Sequence, residues 1–399
     1  MRDDDDDDGG GDDSDDDDRE GGADTFEDLG AELFVDMPVV PKARQGAAFV
    51  RRDAAQIAND PLRLLRRRAG WHSRSGSLSS QNSRSSSPHH GEPTEKLRRE
   101  QSFKANRRHK FLECLSREDV DMVAKVAWSG IPEEFRPIAW PLLLGHLPLP
   151  MGLRSSTLER RRGEYQSLVD LTSQIWHQIE IDVPRTRPGV QLWMHASTQR
   201  SLERILYVWA MRHPASGYVQ GINDLATPFF EVFLSAYVVG TDPRLKTADT
   251  DPEEIDPSIL PPPVLAAVEA DSFWCLSRLL NEIPENYTTA QPGIQRSVKR
   301  MAELVARIDA PLSEHLATQG VEFMQFAFRW MNCLLMREIS VKNTAEGSDA
   351  FSQFHLYVCS AFLVRWSDKL RAMDFQMLLS QAFLLKSIWH NAQSHFMGK

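Results

Sequence analysis

Apolar residues return at helical spacing from about Phe111 onward, and segments suited to strands are scarce. Leu202, Ile205, Leu206 and Trp209 fall at i, i+3, i+4 and i+7, which predicts an amphipathic helix that Pro214 closes. Phe354, Tyr357, Val358, Ala361 and Phe362 repeat the pattern near the C-terminus. From Leu225 to Val239 the chain is apolar nearly all round, Glu231 excepted, which predicts a helix buried in the middle of a domain. That run is shorter than the roughly twenty residues a membrane-spanning helix needs, so no transmembrane segment is expected. Proline clusters such as Pro261-Pro262-Pro263 punctuate the gaps between helices. The expected fold class is all-α, a multi-helix domain over residues 110–399 without internal repeats.

The first 109 residues read differently. Residues 1–36 carry eighteen acidic side chains against two basic ones, Arg2 and Arg19, a local charge of −16 in a chain whose total is −10. Such a segment repels itself and offers no apolar surface to offset ordering, so it is expected to be a disordered acidic tail. It is also the opposite of a secretory signal, which needs a basic start and an apolar core. Residues 37–109 are expected to form a disordered basic linker, with fifteen Lys and Arg against five Asp and Glu between Arg51 and Lys110. Its serine-rich tract from Ser73 to Ser87 contains the arginine-flanked strings Arg74-Ser75-Gly76-Ser77 and Arg84-Ser85-Ser86-Ser87-Pro88. Phosphorylation there would create a dock for a phosphoserine-binding adaptor between Ser75 and Ser87. The same basic residues could hold the chain peripherally at acidic lipid. Few aromatics interleave with them, so nucleic acid is not an expected partner.

Four cysteines, Cys114, Cys275, Cys333 and Cys359, are far apart and form no C-x-x-C pair, which fits a reducing cytoplasm rather than a disulfide framework. No H-E-x-x-H is present, and His89-His90 lies in the linker, so no metal site is expected. The chain also lacks a G-x-x-x-x-G-K-[ST] loop, and hence the means to bind and hydrolyse a nucleotide by itself.

Two short segments stand out. In Ile179-Glu180-Ile181-Asp182-Val183-Pro184-Arg185-Thr186, Pro184 should end a helix and leave Arg185 on the loop beyond it, where Asp182 could pin the guanidinium. In Ser216-Gly217-Tyr218-Val219-Gln220-Gly221-Ile222-Asn223-Asp224, Gly217 and Gly221 permit a turn that presents Gln220. Asn223 or Asp224 would cap the following helix. Each segment alone is an ordinary loop. Trp128, Trp140, Trp193, Trp209 and Trp330 read as core residues, and His195 and His213 as loop or core histidines.

The array Trp128-x-Gly130-Ile131-Pro132-x-x-x-Arg136-x-x-x-Trp140, then Ile179-x-x-Asp182-x-x-Arg185-Thr186, then Gly217-Tyr218-x-Gln220-Gly221 resembles the TBC-domain Rab GTPase-activating proteins. The resemblance runs from about Lys110 to the end. It implies that Arg185 is an arginine finger and Gln220 a glutamine finger, supplied in trans to a GTP-state Rab GTPase that carries the GTP and Mg²⁺. The chain would then be an activator without cofactors of its own and not a stand-alone enzyme. Asp182 and Tyr218 would hold the two fingers, with Gly217 and Gly221 shaping the turn and Arg136 structural. The string from His213 to Phe230 is similar to the Golgi-associated branch, which implies a cytoplasmic protein peripheral at the Golgi that regulates vesicle trafficking.

The chain departs from the family pattern twice. About ten residues expected after Thr344, a box of the type Arg-x-Trp-Asp-x-Tyr, are absent at 344–345, and on the order of twenty are absent at 376–377. A ten-residue loss at about 1.5 Å per residue removes roughly three helical turns from the domain wall. This keeps a second reading open: a Rab-binding adaptor or scaffold that docks without accelerating hydrolysis, the product of a splice-shortened message.

Overall fold

The computed structural model describes residues 49–60, 95–116, 119–128, 130–169, 176–239, 252–288, 290–338 and 351–379. The acidic tail, the tract from Ser75 to Ser87, His89-His90 and the junction at 344–345 lie outside the described residues.

Helices dominate what is described. A first group comprises α1 (Ala54–Asn59), α2 (Glu95–Ser116), α3 (Val120–Ala127), α4 (Arg136–Leu143), α5 (Met151–Val169), α6 (Trp176–Asp182), α7 (Gln191–Met194), α8 (Ala196–Arg212), α9 (Ile222–Ser235) and α10 (Pro262–Glu282). A second group follows with α11 (Pro292–Ile308), α12 (Ala310–Thr318), α13 (Phe323–Asn332), α14 (Phe351–Arg365) and α15 (Ser367–Leu370). Residues 375–379, at the expected 376–377 shortfall, are helical. The described strands are two residues each, β1 (Phe49–Val50) pairing antiparallel with β2 (Val238–Val239).

The folded domain starts earlier than the hydrophobic pattern predicts. Ala54, Ile57 and Ala58 of α1 are buried, the Arg51 backbone N–H donates to the Tyr237 carbonyl at 2.8 Å, and Arg162 donates to the Ala58 carbonyl. Residues 49–60 therefore belong to the domain and not to a linker. The segment was missed because three short apolar contacts flanked by charge carry no readable period.

Two hydrophobic cores divide most of the chain near Tyr287, with Leu334 and Met336 returning to the first. The first is centred on α9, where every residue from Ile222 to Leu234 is buried, as its apolar sequence predicts. Phe229 meets Trp140 edge-on at 5.7 Å, and Phe230 packs against Trp193. Helix α8 turns Leu202, Ile205, Leu206 and Trp209 inward, as the stripe requires. Burial of each such side chain stabilises by about 1.5–3 kcal/mol, more than a typical neutral hydrogen bond at about 1 kcal/mol net. Charge also joins the helices of this core: Glu269 of α10 accepts from Ser201 and Arg204 of α8, and Asp271 accepts from Arg162 of α5.

The second core gathers Ile294, Val298, Met301 and Val305 of α11 around Phe326 and Trp330 of α13. Here one expectation holds only in part. Of the periodic stripe on α14, Val358 and Phe362 pack against this core, Phe354 and Tyr357 are 36% and 56% exposed, and His355, Cys359 and Leu363 face inward. Helix α14 carries two candidate stripes, and period alone does not say which one is covered. Trp128, expected in the core, is 66% exposed and lies against Phe354 at 5.0 Å; the other four tryptophans are buried. All four cysteines are buried, and none forms a disulfide.

Candidate functional site

Helix α6 ends in a single tight turn, Val183–Arg185, where Pro184 fits the first positions and prevents the helix from continuing. Val183 packs into the first core, and Arg185 at the end of the turn is exposed. Among the described residues Arg185 makes no hydrogen bond or ion pair. The expected pin from Asp182 is therefore corrected: the Asp182 carboxylate instead accepts a 2.9 Å hydrogen bond from the Tyr218 hydroxyl. Arg185 reaches Asp182 only through space. Burial pushes the Asp182 carboxyl above its ordinary range, and the Tyr218 hydroxyl and the Arg185 charge hold it back. Burial, with the carboxylate beside it, pushes the Tyr218 phenol far above its usual value, so Tyr218 stays a donor.

The second turn runs between α8 and α9. Gly217 and Gly221 adopt φ of 64° and 106°, a region that costs other residues strain. Gln220 is exposed between them, while Tyr218 is buried. The cap of α9 differs from expectation. Gly221 itself occupies the capping position, and the Asn223 side chain accepts from the Gly221 N–H at 2.9 Å. Asp224 is turned to a different partner, accepting from Arg337 Nε at 2.8 Å.

Two bonds join the turns. One is Tyr218 to Asp182; the other runs from the Asn223 amide to the Thr186 hydroxyl at 2.9 Å, and Thr186 in turn donates to the Asp182 carbonyl at 3.0 Å. The structure thus brings together Asp182, Arg185, Gly217, Tyr218, Gln220 and Gly221. Arg136 lies apart from these bonds, buried at the start of α4. A rigid pair of turns that leaves one guanidinium and one carboxamide uncommitted can act on a molecule docked from outside.

Several supporting residues escaped the sequence reading. Arg187, at φ 46°, is buried and pairs with Glu231 of α9 and with Glu253. Burial opposes its charge, yet the two carboxylates more than offset this and raise its proton affinity. Glu231 also accepts from Trp193 Nε1 at 3.1 Å, which explains a lone acid in an apolar helix. That acid was the available signal: a buried carboxylate needs a buried cation. His195 lies 3.6 Å from Asp256, and His213 stacks on Trp209.

The sequence model of the Rab-GTPase-TBC domain matches residues 133–371, more than half of the chain and all of both turns. The chain belongs to the Rab-GTPase-TBC domain family. It is 48% identical over 316 residues to the GTPase-activating protein gyp1 of Schizosaccharomyces pombe, a match covering 69% of this chain and 60% of that protein. It is 43% identical over 329 residues to TBC1 domain family member 22B of Homo sapiens, covering 73% of this chain and 63% of that protein. The chain thus spans less than two thirds of the length of these relatives. Among solved structures it is similar to the Ypt/Rab-GAP domain of Gyp1p, with a TM-score of 0.60 and 45% identity, over 68% of this chain and 94% of that one. The flagellar RabGAP TBC domain of Chlamydomonas, at 16% identity and a TM-score of 0.50, shares the fold. Among the described residues of this TBC chain, no helix is long and apolar enough to cross a membrane, and no group of side chains is arranged to hold a metal ion.

Proposed function

We propose that this chain accelerates GTP hydrolysis on a Rab-family GTPase by inserting Arg185 and Gln220 into that GTPase's nucleotide site. The observation that carries the reading is the bonding of two turns into one unit on which, among the described residues, the Arg185 and Gln220 side chains are exposed and make no hydrogen bond. A lone GTPase hydrolyses slowly because it lacks a cation for the charge developing on the transferred phosphoryl group and positions its water poorly. Arg185 supplies the cation and Gln220 orients the water; GTP and Mg²⁺ arrive with the partner. A trans arginine is generally worth about a thousandfold or more in rate, roughly 4 kcal/mol and upward. The test is phosphate release from a panel of GTP-loaded Rab proteins. Wild type should strongly accelerate at least one, and Arg185→Ala and Gln220→Ala should each remove most of the effect. Equal rates for all three proteins would sink the two-finger mechanism.

The exposed aromatics Phe354 and Tyr357 of α14 favour a second reading, an adaptor that docks GTPases or scaffolds without catalysis. Capture by a GTP-state Rab with no change in its hydrolysis rate would select it. The similarity of residues 213–230 to the Golgi-associated branch supports a peripheral Golgi location, which imaging of the full chain against a Golgi marker tests. A purely diffuse signal would remove it.

A further inference from the structure

The Gln220 turn is not held by the first core alone. Asn332, the last residue of α13, donates from its side-chain amide to the Gln220 carbonyl at 2.9 Å, across 112 positions of sequence. Asn332 is itself fixed from two sides. Its carbonyl accepts from the Tyr287 hydroxyl at 2.7 Å, and its side-chain oxygen accepts from the Gln291 amide at 3.3 Å. Its side chain is buried and packs directly on the backbone of Gly221: a β-carbon there would meet the Asn332 amide nitrogen at 2.3 Å, well inside contact distance. The same C-terminal segment returns to α9, where Arg337 donates to Asp224. Between them the chain passes through Leu334 and Leu335, both in the left-handed region at φ 49° and 62°, a strained pair that a covering structure must enforce.

We propose that Asn332 is a positioning residue for Gln220, so that the C-terminal core sets the aim of the glutamine while the N-terminal core sets the aim of the arginine. The inference rests on the Rab-activating reading of the two turns. A carbonyl anchored by a fixed amide cannot rotate about its peptide plane without breaking that hydrogen bond, and the Asn332 side chain is packed against the adjacent Gly221. The side chain of Gln220 is thereby launched from a set backbone, as orientation of a water molecule requires. Asn332 touches neither nucleotide nor water in this scheme. It acts through the Gln220 peptide.

Asn332→Asp is the discriminating variant in the full chain. It preserves shape and still accepts from Gln291, but at neutral pH it places an oxygen against the Gln220 carbonyl in place of a donor. With a GTP-loaded Rab panel, kcat of stimulated hydrolysis should fall about tenfold, the effect of losing one buried hydrogen bond, while KM for the GTP-loaded protein stays near wild type. Lowering the pH protonates the new carboxyl, restores a donor and should recover kcat in the variant but not in wild type. A merely structural role would not produce that pH-dependent rescue. Independently of any GTPase, hydrogen exchange in the peptide covering residues 216–224 should quicken in the variant and leave residues 180–187 unchanged. If Asn332→Asp does not fold, Asn332→Ala carries both measurements without the pH arm. Wild-type kcat together with wild-type exchange in the variant overturns the proposal. Faster exchange at 216–224 in a protein that activates no Rab would instead overturn the functional reading and leave the positioning intact.

Discussion

The two turns of the site are supported in different ways. The arginine turn is seated within one core: Val183 is buried beneath it, Thr186 and Asp182 are bonded to the neighbouring loop, and Arg187, two residues after Arg185, is locked to Glu231. The glutamine turn is shared. Tyr218 and Asn223 tie it to the first core, and Asn332, at the end of α13, reaches it from the second. The cores themselves are unequal, since α9 is covered on all sides while α14 leaves Phe354 and Tyr357 exposed. A site built this way has one support that survives damage to the C-terminal core and one that does not.

The largest expected break is in the first core. Glu231→Ala leaves the Arg187 charge buried with half of its compensation and the Trp193 N–H without its acceptor, at a cost of about 3–5 kcal/mol. Urea denaturation should show it as a lower midpoint at unchanged slope.

A change of pH acts on the second core. Burial lowers the His355 pKa from 6.5 to about 4, so between those values the unfolded chain takes up a proton that the folded chain refuses. Stability from this group is therefore lost as pH falls through that window, by about 1.4 kcal/mol per unit at most. His355→Gln should flatten the acid limb of the stability profile, and an unchanged limb would show that other groups govern it.

Cutting the tie between the turns is smaller. Tyr218→Phe removes the donor to a buried carboxylate, at a cost of about 1–3 kcal/mol, and should push the Asp182 pKa higher still. Carboxyl titration by NMR measures the second effect directly. Least of all, Tyr357→Ser on the exposed part of the stripe should change stability by no more than about 0.5 kcal/mol. A larger loss in a thermal melt would mean that this face is covered in solution.

How far the sequence could be read follows the range of the interactions. The helices α8 and α9 were legible because their apolar positions repeat locally, and the two turns because proline and glycine dictate local backbone. The family motifs then connected turns that spacing alone left as ordinary loops. What remained hidden is nonlocal. Arg187 with Glu231 and Asn332 with Gln220 are pairs 44 and 112 residues apart, and no periodicity connects their members. The same limit explains the half-covered stripe of α14 and the misjudged partner of Asp182. Amphipathic period names two candidate faces but not the neighbour that covers one, and a carboxylate three residues from an arginine was instead claimed by a tyrosine 36 residues away.

The most direct test of the central claim, that Arg185 and Gln220 act as one unit, is single-turnover phosphate release from a GTP-loaded Rab saturated with wild type, each single alanine variant and the Arg185→Ala/Gln220→Ala double variant. Residues that complete one transition state are strongly non-additive. Each single variant should lose most of the acceleration, and the double variant should be little worse than the weaker single. Independent, multiplicative losses, or a single variant that keeps the wild-type rate, would contradict the account.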